Sequence, residues 1–334
     1  MSFAHSLTFF MRNNIKTTNF SPRISNKSIN FVAAMKQSVS ILIPVYNGTC
    51  TDLVRHLVRQ AESIENLSYE IIVADDGSTN ESVVTVNRDI VALPHCRYII
   101  RGENVGRAAI RNFLANEAQY EWLLFIDCDM TVHNDDFLKR YLAEDDTQSA
   151  DVVDGGVTIG GDEQLLKGNL RFLYEKHAES EHTAAMRQKQ PYHHLHTANL
   201  LMRRRVMEEC PFDERFRHYG YEDVLLGKQL KAKGFTISHI DNPLGFDTFE
   251  SNSAFVAKTE EALRTLNTFR NELRGYSGLL TVADGIHLPL VRTLLVAVFC
   301  LCKPLVRRNL CSSHPLLPLF EPYKLGYFLK LKRQ

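Results

Sequence analysis

The chain has 334 residues, 44% of them apolar, which is enough for one large folded core or two small ones. Its formal net charge is zero because two basic ends offset an acidic central segment. Residues 1–37 carry five Lys or Arg and no Asp or Glu, and residues 287–334 carry eight Lys or Arg and one Asp or Glu. The segment between them has 26 basic and 38 acidic side chains. An acidic body argues against a nucleic-acid partner, whereas basic ends suit an anionic membrane surface.

The seven cysteines are scattered and include no Cys-x-x-Cys pair, which favours a reducing cytoplasm over a disulfide framework or a zinc site. The first 34 residues are rich in Ser, Asn and Thr and lack an apolar stretch long enough for a secretory signal core. A basic disordered tail, or an extension upstream of a start at Met35, is expected for residues 1–37. A poor amphipathic targeting peptide is the alternative.

From Ser38 onward, apolar runs alternate with helical patterns, which is typical of successive βα units in a mostly parallel sheet. Strands are predicted at residues 39–45, 69–74, 96–101 and 122–126, and helices at 52–64, 81–92 and 106–117. Each strand ends in a polar or glycine-containing turn. Because the loops at the carboxyl ends of such strands form the ligand crevice, these four turns are the predicted site.

The pattern continues with less regular spacing beyond residue 150. The elements predicted there are a strand at 151–159, one amphipathic helix at 163–187, a buried strand at 198–202, a helix at 222–233 that ends at Gly234, a strand at 235–240 and a helix at 254–273. No internal repeat is present. These elements predict a second half of the same α/β domain.

The last segment, residues 287–334, is basic and apolar. Residues 290–301 are apolar except for Arg292 and Thr293, but this core is shorter than the roughly 20 residues of a spanning helix. A helix that lies in a membrane interface, or one that packs on the body, is therefore predicted in preference to a span.

Asp127 and Asp129 directly follow the predicted strand at residues 122–126. Two carboxylates one residue apart can converge on one divalent cation, which would bridge the oxygens of a diphosphate. An ordinary solvated turn is the alternative for this triplet. Its position after the fourth strand of the series favours the metal.

Two further motifs are open to both a structural and a functional interpretation. Asp75 and Asp76 follow a strand and would either form a turn or accept a hydrogen bond from a nucleobase or ribose. Arg107 and Arg111 share one helix face, where they would form a solvated stripe or contact the phosphates or base edge of a nucleotide.

Glu222 and Asp223 begin a predicted helix. Acids there interact favourably with the helix dipole, and one of them could also accept a proton from an attacking hydroxyl group. The histidines at 193, 194 and 196 do not have a recognised metal-ligand spacing, so a surface loop is predicted for them.

Taken together, five ordered motifs resemble glycosyltransferase family 2. They comprise residues 40–47 (Ser-Ile-Leu-Ile-Pro-Val-Tyr-Asn), 73–78 (Val-Ala-Asp-Asp-Gly-Ser), 104–112 (Asn-Val-Gly, then Ile-Arg-Asn), 125–129 (Phe-Ile-Asp-Cys-Asp) and 198–223 (Ala-Asn-Leu-Leu-Met-Arg through Glu-Asp). The resemblance implies a GT-A fold, Rossmann-like with a mostly parallel sheet flanked by helices. Residues 287–334 are expected to follow this fold as a helical extension that could associate with a membrane. It also implies an inverting transferase with a nucleotide-sugar half at 38–149, an acceptor half at 150–286 and Mn²⁺ or Mg²⁺ as cofactor.

Carried over by position, the resemblance assigns a role to each candidate residue. Pro44 and Tyr46 would line the base, Asp76 would bind uracil, and Asn104 and Arg111 would contact the nucleotide. Asp127 and Asp129 would face the metal and diphosphate, with Asp129 as direct ligand, while Asp223 would be the catalytic base and Glu222 would orient the acceptor. Arg107 is a further nucleotide-binding candidate because it shares a helix face with Arg111. Relatives often carry a metal-binding His shortly after a segment like residues 241–244. Here Gly245, Phe246 and Asp247 stand instead, and Asp247 is a candidate substitute.

The predicted function is therefore metal-dependent transfer of a sugar from a UDP-sugar to a hydroxyl of a glycan or lipid-linked acceptor. It would take place on the cytoplasmic face of the cell membrane, in cell-surface polysaccharide synthesis. A non-catalytic nucleotide-sugar-binding module and a membrane-surface scaffold are the alternatives. A sugar nucleotidyltransferase is disfavoured, because residues 44–47 are not a glycine-rich basic loop.

Overall fold

The computed structural model describes residues 37–143 and 150–331. The basic extension expected at residues 1–37 lies outside this part of the chain, except for Gln37. The strands are β1 Ser38–Val45, β2 Ser68–Asp75, β3 Cys96–Ile100, β4 Trp122–Ile126, β5 Val152–Asp154, β6 Val157–Ile159, β7 Asn199–Arg203, β8 Ile237–His239 and β9 Leu244–Phe246.

Seven of these strands form one sheet in the order β3-β2-β1-β4-β7-β5-β8, in which β7 runs antiparallel to both of its neighbours. The other pairs are parallel, and β6 and β9 form a separate parallel pair. The fold expectation is confirmed: the chain is an α/β protein with a mostly parallel sheet, flanking helices and a helical C-terminal region. The predicted domain boundaries stay predictions, and the β4–β7 pair joins the two proposed halves in one sheet.

The helices are α1 Thr51–Glu62, α2 Glu81–Asn87, α3 Arg107–Glu117, α4 Phe137–Ala143, α5 Glu163–Leu166, α6 Leu170–Ala178, α7 Ala184–Gln188, α8 Arg204–Glu209, α9 Glu222–Lys233, α10 Asn252–Thr268, α11 Gly278–Gly285, α12 Pro289–Leu310 and α13 Phe320–Lys330. Short 3₁₀ segments occupy Arg88–Ala92, Glu179–His182 and Leu317–Leu319.

The continuous apolar runs of the central strands are explained by burial on both faces of the sheet. Side chains alternate along a strand, so Ile41 and Ile43 face a core shared with α1 and α4, while Leu42 faces a core shared with α3 and α9. All three are completely buried. Helices on both sides therefore leave the loops at the strand ends as the exposed parts of these units.

The single strand predicted at residues 151–159 is wrong, because two strands in different sheets occupy this segment. The break lies at Gly155 and Gly156, where Gly156 has a φ of +82°. A Cβ atom at Gly156 would overlap the Arg187 guanidinium group, so that arginine and the left-handed backbone require glycine.

The single helix predicted at residues 163–187 is also wrong, because it is divided into α5, α6, a 3₁₀ turn and α7. Asn169 accepts a hydrogen bond from the Phe172 N–H at 2.9 Å and so starts a new helix, and Thr183 caps α7 in the same way. Gly168, just before the first cap, packs so closely against Ser313 that a side chain would overlap its backbone. Distant packing therefore interrupts a pattern that is helical by composition.

Candidate functional site

The loops after β1 and β2 are joined by the side chain of Asn47. Its amide oxygen accepts hydrogen bonds from the backbone N–H groups of Thr79 and Asn80 at 2.9 and 3.0 Å. The backbone N–H of Asn47 donates to Ser78 Oγ at 2.7 Å. Tyr46, beside Asn47, is 49% exposed. The turn that carries Tyr46 is thus held in place although the ring itself faces solvent.

The carboxylate of Asp76 joins the β2 loop to the start of α3. Its two oxygens accept hydrogen bonds from the backbone N–H groups of Val105 and Gly106 at 3.0 and 2.9 Å. Burial raises the pKa of Asp76, although these two donors act in the opposite direction. Gly77 has a φ of +73°, and a Cβ there would lie 2.6 Å from the Glu103 carbonyl carbon, which explains why glycine follows the two acids.

The other residues predicted to contact the nucleotide lie in or beside the same loops. Pro44 is half-buried at the end of β1, and Asn104 is exposed in the loop that Asp76 holds. The roles of Pro44, Tyr46, Asp76 and Asn104 in nucleotide binding stay predictions. The structure brings the loops that carry them together at one edge of the sheet.

Arg111 connects the loop after β4 with the first turn of α9. It is almost completely buried, its Nη2 atom donates to Asp127 Oδ1 at 2.6 Å, and its Nη1 atom lies 3.5 Å from Glu222 Oε1. Burial by itself would raise the pKa of Asp127, but the charges of Arg111 and Arg107 outweigh it and hold that pKa below its ordinary value. Asp127, Arg111 and Glu222 thus form one buried charge network.

Arg107 lies one helical turn before Arg111 and is more accessible, with 44% of its side chain exposed. Its Nη1 atom is 3.9 Å from Glu222 Oε1, and its guanidinium group lies 4.8 Å from the centre of the Tyr219 ring. The two arginines therefore share a helix face as predicted, but Arg111 is enclosed by carboxylates while Arg107 retains access to solvent.

Asp223 lies beside Glu222 in the first turn of α9. The chain enters this turn through Gly220 and Tyr221, which have φ values of +97° and +71°. Asp223 Oδ1 accepts a hydrogen bond from the Val224 N–H at 2.7 Å, and only 7% of the residue is exposed. Burial, together with the charge of Glu222, raises the pKa of Asp223 to about 6. A carboxylate in this state can accept a proton close to neutral pH.

Asp129 differs from Asp127 because its side chain is exposed and makes no ion pair within residues 37–143 and 150–331. In the same residues, no three His, Cys, Asp or Glu side chains converge into a metal site. A single free carboxylate nevertheless fits Mg²⁺ or Mn²⁺ that is held largely by water and substrate phosphates. Asp129 therefore suits the predicted metal, whereas Asp127 is already bound to Arg111.

Asp247, the candidate substitute for a third ligand, pairs with a histidine from the Asp129 loop. His133 Nε2 lies 3.2 Å from Asp247 Oδ1, next to a two-way backbone pairing between Thr131 and Gly245. A Cβ at Gly245 would overlap His133, and one at Gly160 would overlap Asp247. Two glycines thus make room for this pair beside the loop.

The sequence interpretation missed a buried polar centre around Asp154, at the end of β5. Asp154 is fully buried and accepts hydrogen bonds from the backbone N–H groups of His196 and Gly156 at 2.8 and 2.7 Å. Burial would raise its pKa, but contacts with His196, Arg187 and His239 lower it to about 2.

His196 itself is 4% exposed, so the surface loop predicted for the three histidines is wrong at this position. The Gly155-Gly156 pair directly after Asp154 was the available signal, since adjacent glycines often allow a close backbone approach.

Residues 40–210 match the sequence profile described as "Glycosyl transferase family 2". An uncharacterized glycosyltransferase of Haemophilus influenzae is 34% identical over 105 residues, which cover 30% of this chain and 40% of the relative. A chondroitin synthase of Pasteurella multocida is 26% identical over 239 residues, which cover 62% of this chain and 24% of that protein. The chain thus spans less than half the length of these relatives.

Two solved structures of low sequence identity resemble most of this chain. The crystal structure of S. aureus TarS 1-349 is 18% identical with a TM-score of 0.47, covering 86% of this chain and 89% of that one. The mannosyltransferase PcManGT from Pyrobaculum calidifontis, in complex with GDP-Man and Mn²⁺, is 14% identical with a TM-score of 0.49, covering 88% of each chain.

Proposed function

Because this chain belongs to glycosyl transferase family 2, and is therefore a glycosyltransferase, we propose that it transfers a sugar with inversion from a UDP-sugar to a hydroxyl group of a glycan or lipid-linked acceptor. The observation that carries this proposal is the Arg111 bridge. It brings Asp127, on the predicted donor side, and Glu222, next to the candidate base, into contact with one guanidinium group at 2.6 and 3.5 Å.

The proposed chemistry is a single displacement at the anomeric carbon. Asp223 accepts the proton of the acceptor hydroxyl while that oxygen forms its bond to the anomeric carbon, and the bond from this carbon to the diphosphate breaks on the opposite face. One such displacement inverts the anomeric configuration. A pKa of about 6 leaves Asp223 mostly ionised at neutral pH and still basic enough to assist.

The nucleotide-sugar donor would be held by residues in the loops after β2 and β4 and at the start of α3. Asp76 holds the loop that carries Asn104, and Arg107, with its accessible guanidinium group, would contact the phosphates. Asp129 would hold Mn²⁺ or Mg²⁺, and a bound cation would neutralise charge on the departing diphosphate. Glu222, held between Arg107 and Arg111, would fix the first turn of α9 and with it the orientation of Asp223.

The acceptor and the cellular site belong to the same proposal. Relatives named chondroitin synthase support a glycan acceptor. All seven cysteines are free, which supports a reducing cytoplasm, and the basic, apolar residues 287–334 support a peripheral position on the inner face of the cell membrane.

A donor screen tests this function directly. The purified chain is incubated with Mn²⁺ and a panel of UDP-sugars, with and without oligosaccharide acceptors, and UDP release is measured. We expect one UDP-sugar to be turned over and Asp223→Asn to reduce turnover by roughly 10² to 10⁴ fold while UDP binding is retained. Binding of UDP by both proteins with turnover by neither would instead support a non-catalytic binding module.

A further inference from the structure

Helix α12 leaves most of its surface uncovered although its side chains are largely apolar. Only Phe299 and Leu310 of its 22 residues are buried. The most exposed large apolar side chains recur at spacings of three or four and form one continuous stripe: Leu290 (81%), Leu294 (62%), Val298 (51%), Leu301 (79%) and Leu305 (72%). A continuous stripe of this kind, unlike scattered exposed residues, marks an interaction surface.

The opposite side of α12 is attached to the body from its first turn to its last. Arg292 Nη2 donates to the Leu329 carbonyl oxygen at 3.0 Å, and Phe299 packs against Gly326, where a Cβ would overlap its ring. Lys303 and Arg307 both contact Glu260, at 3.6 and 3.5 Å. At the C-terminal end, Leu310 is completely buried among residues of α6, α10 and α13.

These attachments distinguish two ways in which an apolar helix can meet a membrane. By length and composition α12 could cross a bilayer, since 22 residues rise about 33 Å, close to the hydrocarbon thickness of about 30 Å. A spanning orientation would require the body, which is bound along the whole helix, to enter the hydrocarbon with it. An orientation parallel to the membrane plane exposes only the stripe to lipid.

The charges around the stripe favour an anionic lipid surface. Residues 285–320 contain no Asp or Glu, and three of their four basic side chains, Arg292, Lys303 and Arg307, contact the body on the side away from the stripe. Arg308 is exposed in the last turn of α12, and Lys330 is exposed at the end of α13. A second copy of this chain would bring the same basic segment to the contact, whereas anionic headgroups complement it.

We propose that α12 anchors the protein in the plane of an anionic membrane, with the Leu290 to Leu305 stripe at the boundary between headgroups and acyl chains. This inference refines the membrane contact of the proposed function by naming the anchoring segment, its orientation and the lipid charge. It does not depend on which sugar is transferred.

Flotation with vesicles tests the anchoring surface. The full chain is mixed with vesicles of phosphatidylcholine alone or with added phosphatidylglycerol, and the bound fraction is measured. We expect preferential binding to the anionic vesicles and an at least tenfold weaker partition for the double variant Leu294→Glu, Leu301→Glu, because burial of one leucine is worth roughly a factor of ten. Leu165→Glu is the matched control, since Leu165 is 82% exposed in α5, outside the stripe.

Tryptophan quenching tests the orientation. Leu290→Trp and Leu301→Trp place indoles about 16 Å apart along one face of the helix, and lipids brominated at different acyl positions report their depth. We expect both indoles to lie at the same shallow depth in the membrane. Native Trp122 is 7% exposed and supplies a constant unquenched signal.

Three results would overturn the proposal. They are unchanged vesicle binding by the double glutamate variant, a deeper indole at position 301 than at position 290, and a stable dimer that the same variant converts to a monomer without any vesicle binding by the parent. Turnover of a soluble acceptor without vesicles is measured in parallel. Loss of vesicle binding with turnover intact then separates the anchor from the glycosyltransferase function.

Discussion

Substitution of Arg111 by methionine should destabilise the protein far more than loss of a surface arginine would. Met keeps most of the apolar volume but removes the charge that lies 2.6 Å from Asp127 and 3.5 Å from Glu222. The side chains of these two acids are only 14% and 5% exposed, so Arg111→Met would leave two carboxylates largely buried and without their main partner.

The expected magnitude follows from that burial. Removing one partner of a buried ion pair typically lowers the free energy of unfolding by about 3–5 kcal/mol, because the remaining charge cannot be hydrated. For a domain of this size, this corresponds to a fall in Tm on the order of 10 °C. Arg55→Met is the matched control: its side chain is 49% exposed, its partner Asp52 is 97% exposed, and a loss below about 1 kcal/mol is expected.

Urea unfolding followed by circular dichroism measures both variants, and a second substitution tests the cause. Adding Asp127→Asn to Arg111→Met removes one uncompensated charge and should recover part of the lost stability. If Arg111→Met were no more destabilising than Arg55→Met, or if Asp127→Asn made it worse, the buried charge network would not be what holds α9 to the β4 loop.

Three further outcomes are expected. The turnover rate should rise about tenfold per pH unit below pH 6 and level off above it, because the ionised form of Asp223 is the base and its pKa is raised to about 6. A turnover rate that is independent of pH between 5 and 7 would contradict that role. Asp129→Asn should leave the Tm unchanged, since the side chain is exposed, but raise the Mn²⁺ concentration needed for half-maximal turnover; an unaltered Mn²⁺ titration would exclude Asp129 as a ligand. Asp154→Asn should lower the free energy of unfolding by about 2–4 kcal/mol. Because the pKa of Asp154 is lowered to about 2 in the folded state, this difference should be constant above about pH 4 and shrink as the pH falls towards 2.

Local sequence patterns predicted the elements around the site closely. The strand predicted at 122–126 has those bounds in the structure, and the helix predicted at 222–233 ends at Gly234, which has a φ of +79°. These elements are set by short-range causes, namely unbroken apolar runs and a glycine that ends a helix. Asp127, Asp129, Glu222 and Asp223 could be singled out because they directly follow or begin such elements.

The wrong predictions result from long-range contacts instead of short-range patterns. The breaks at residues 155–156 and 168–169 depend on Arg187 and Ser313, which are distant in sequence from the positions they affect. In the same way, the glycine pair after Asp154 indicated a close approach of another segment, but not that His196 and Arg187 would be the side chains that enclose Asp154. A helical or extended pattern carries no information about such partners.

The sequence by itself determined the α/β class, the positions along the chain of the strands that precede the acids, and the family to which the chain belongs. These features depend on local periodicity and on short motifs. Only the tertiary structure decided that Arg111 is buried between Asp127 and Glu222, while Arg107 on the same helix face stays open to solvent. It also decided that α12 is attached along one side and uncovered along the other. Burial and charge pairing arise from contacts between segments far apart in the chain, and those contacts exist only after folding.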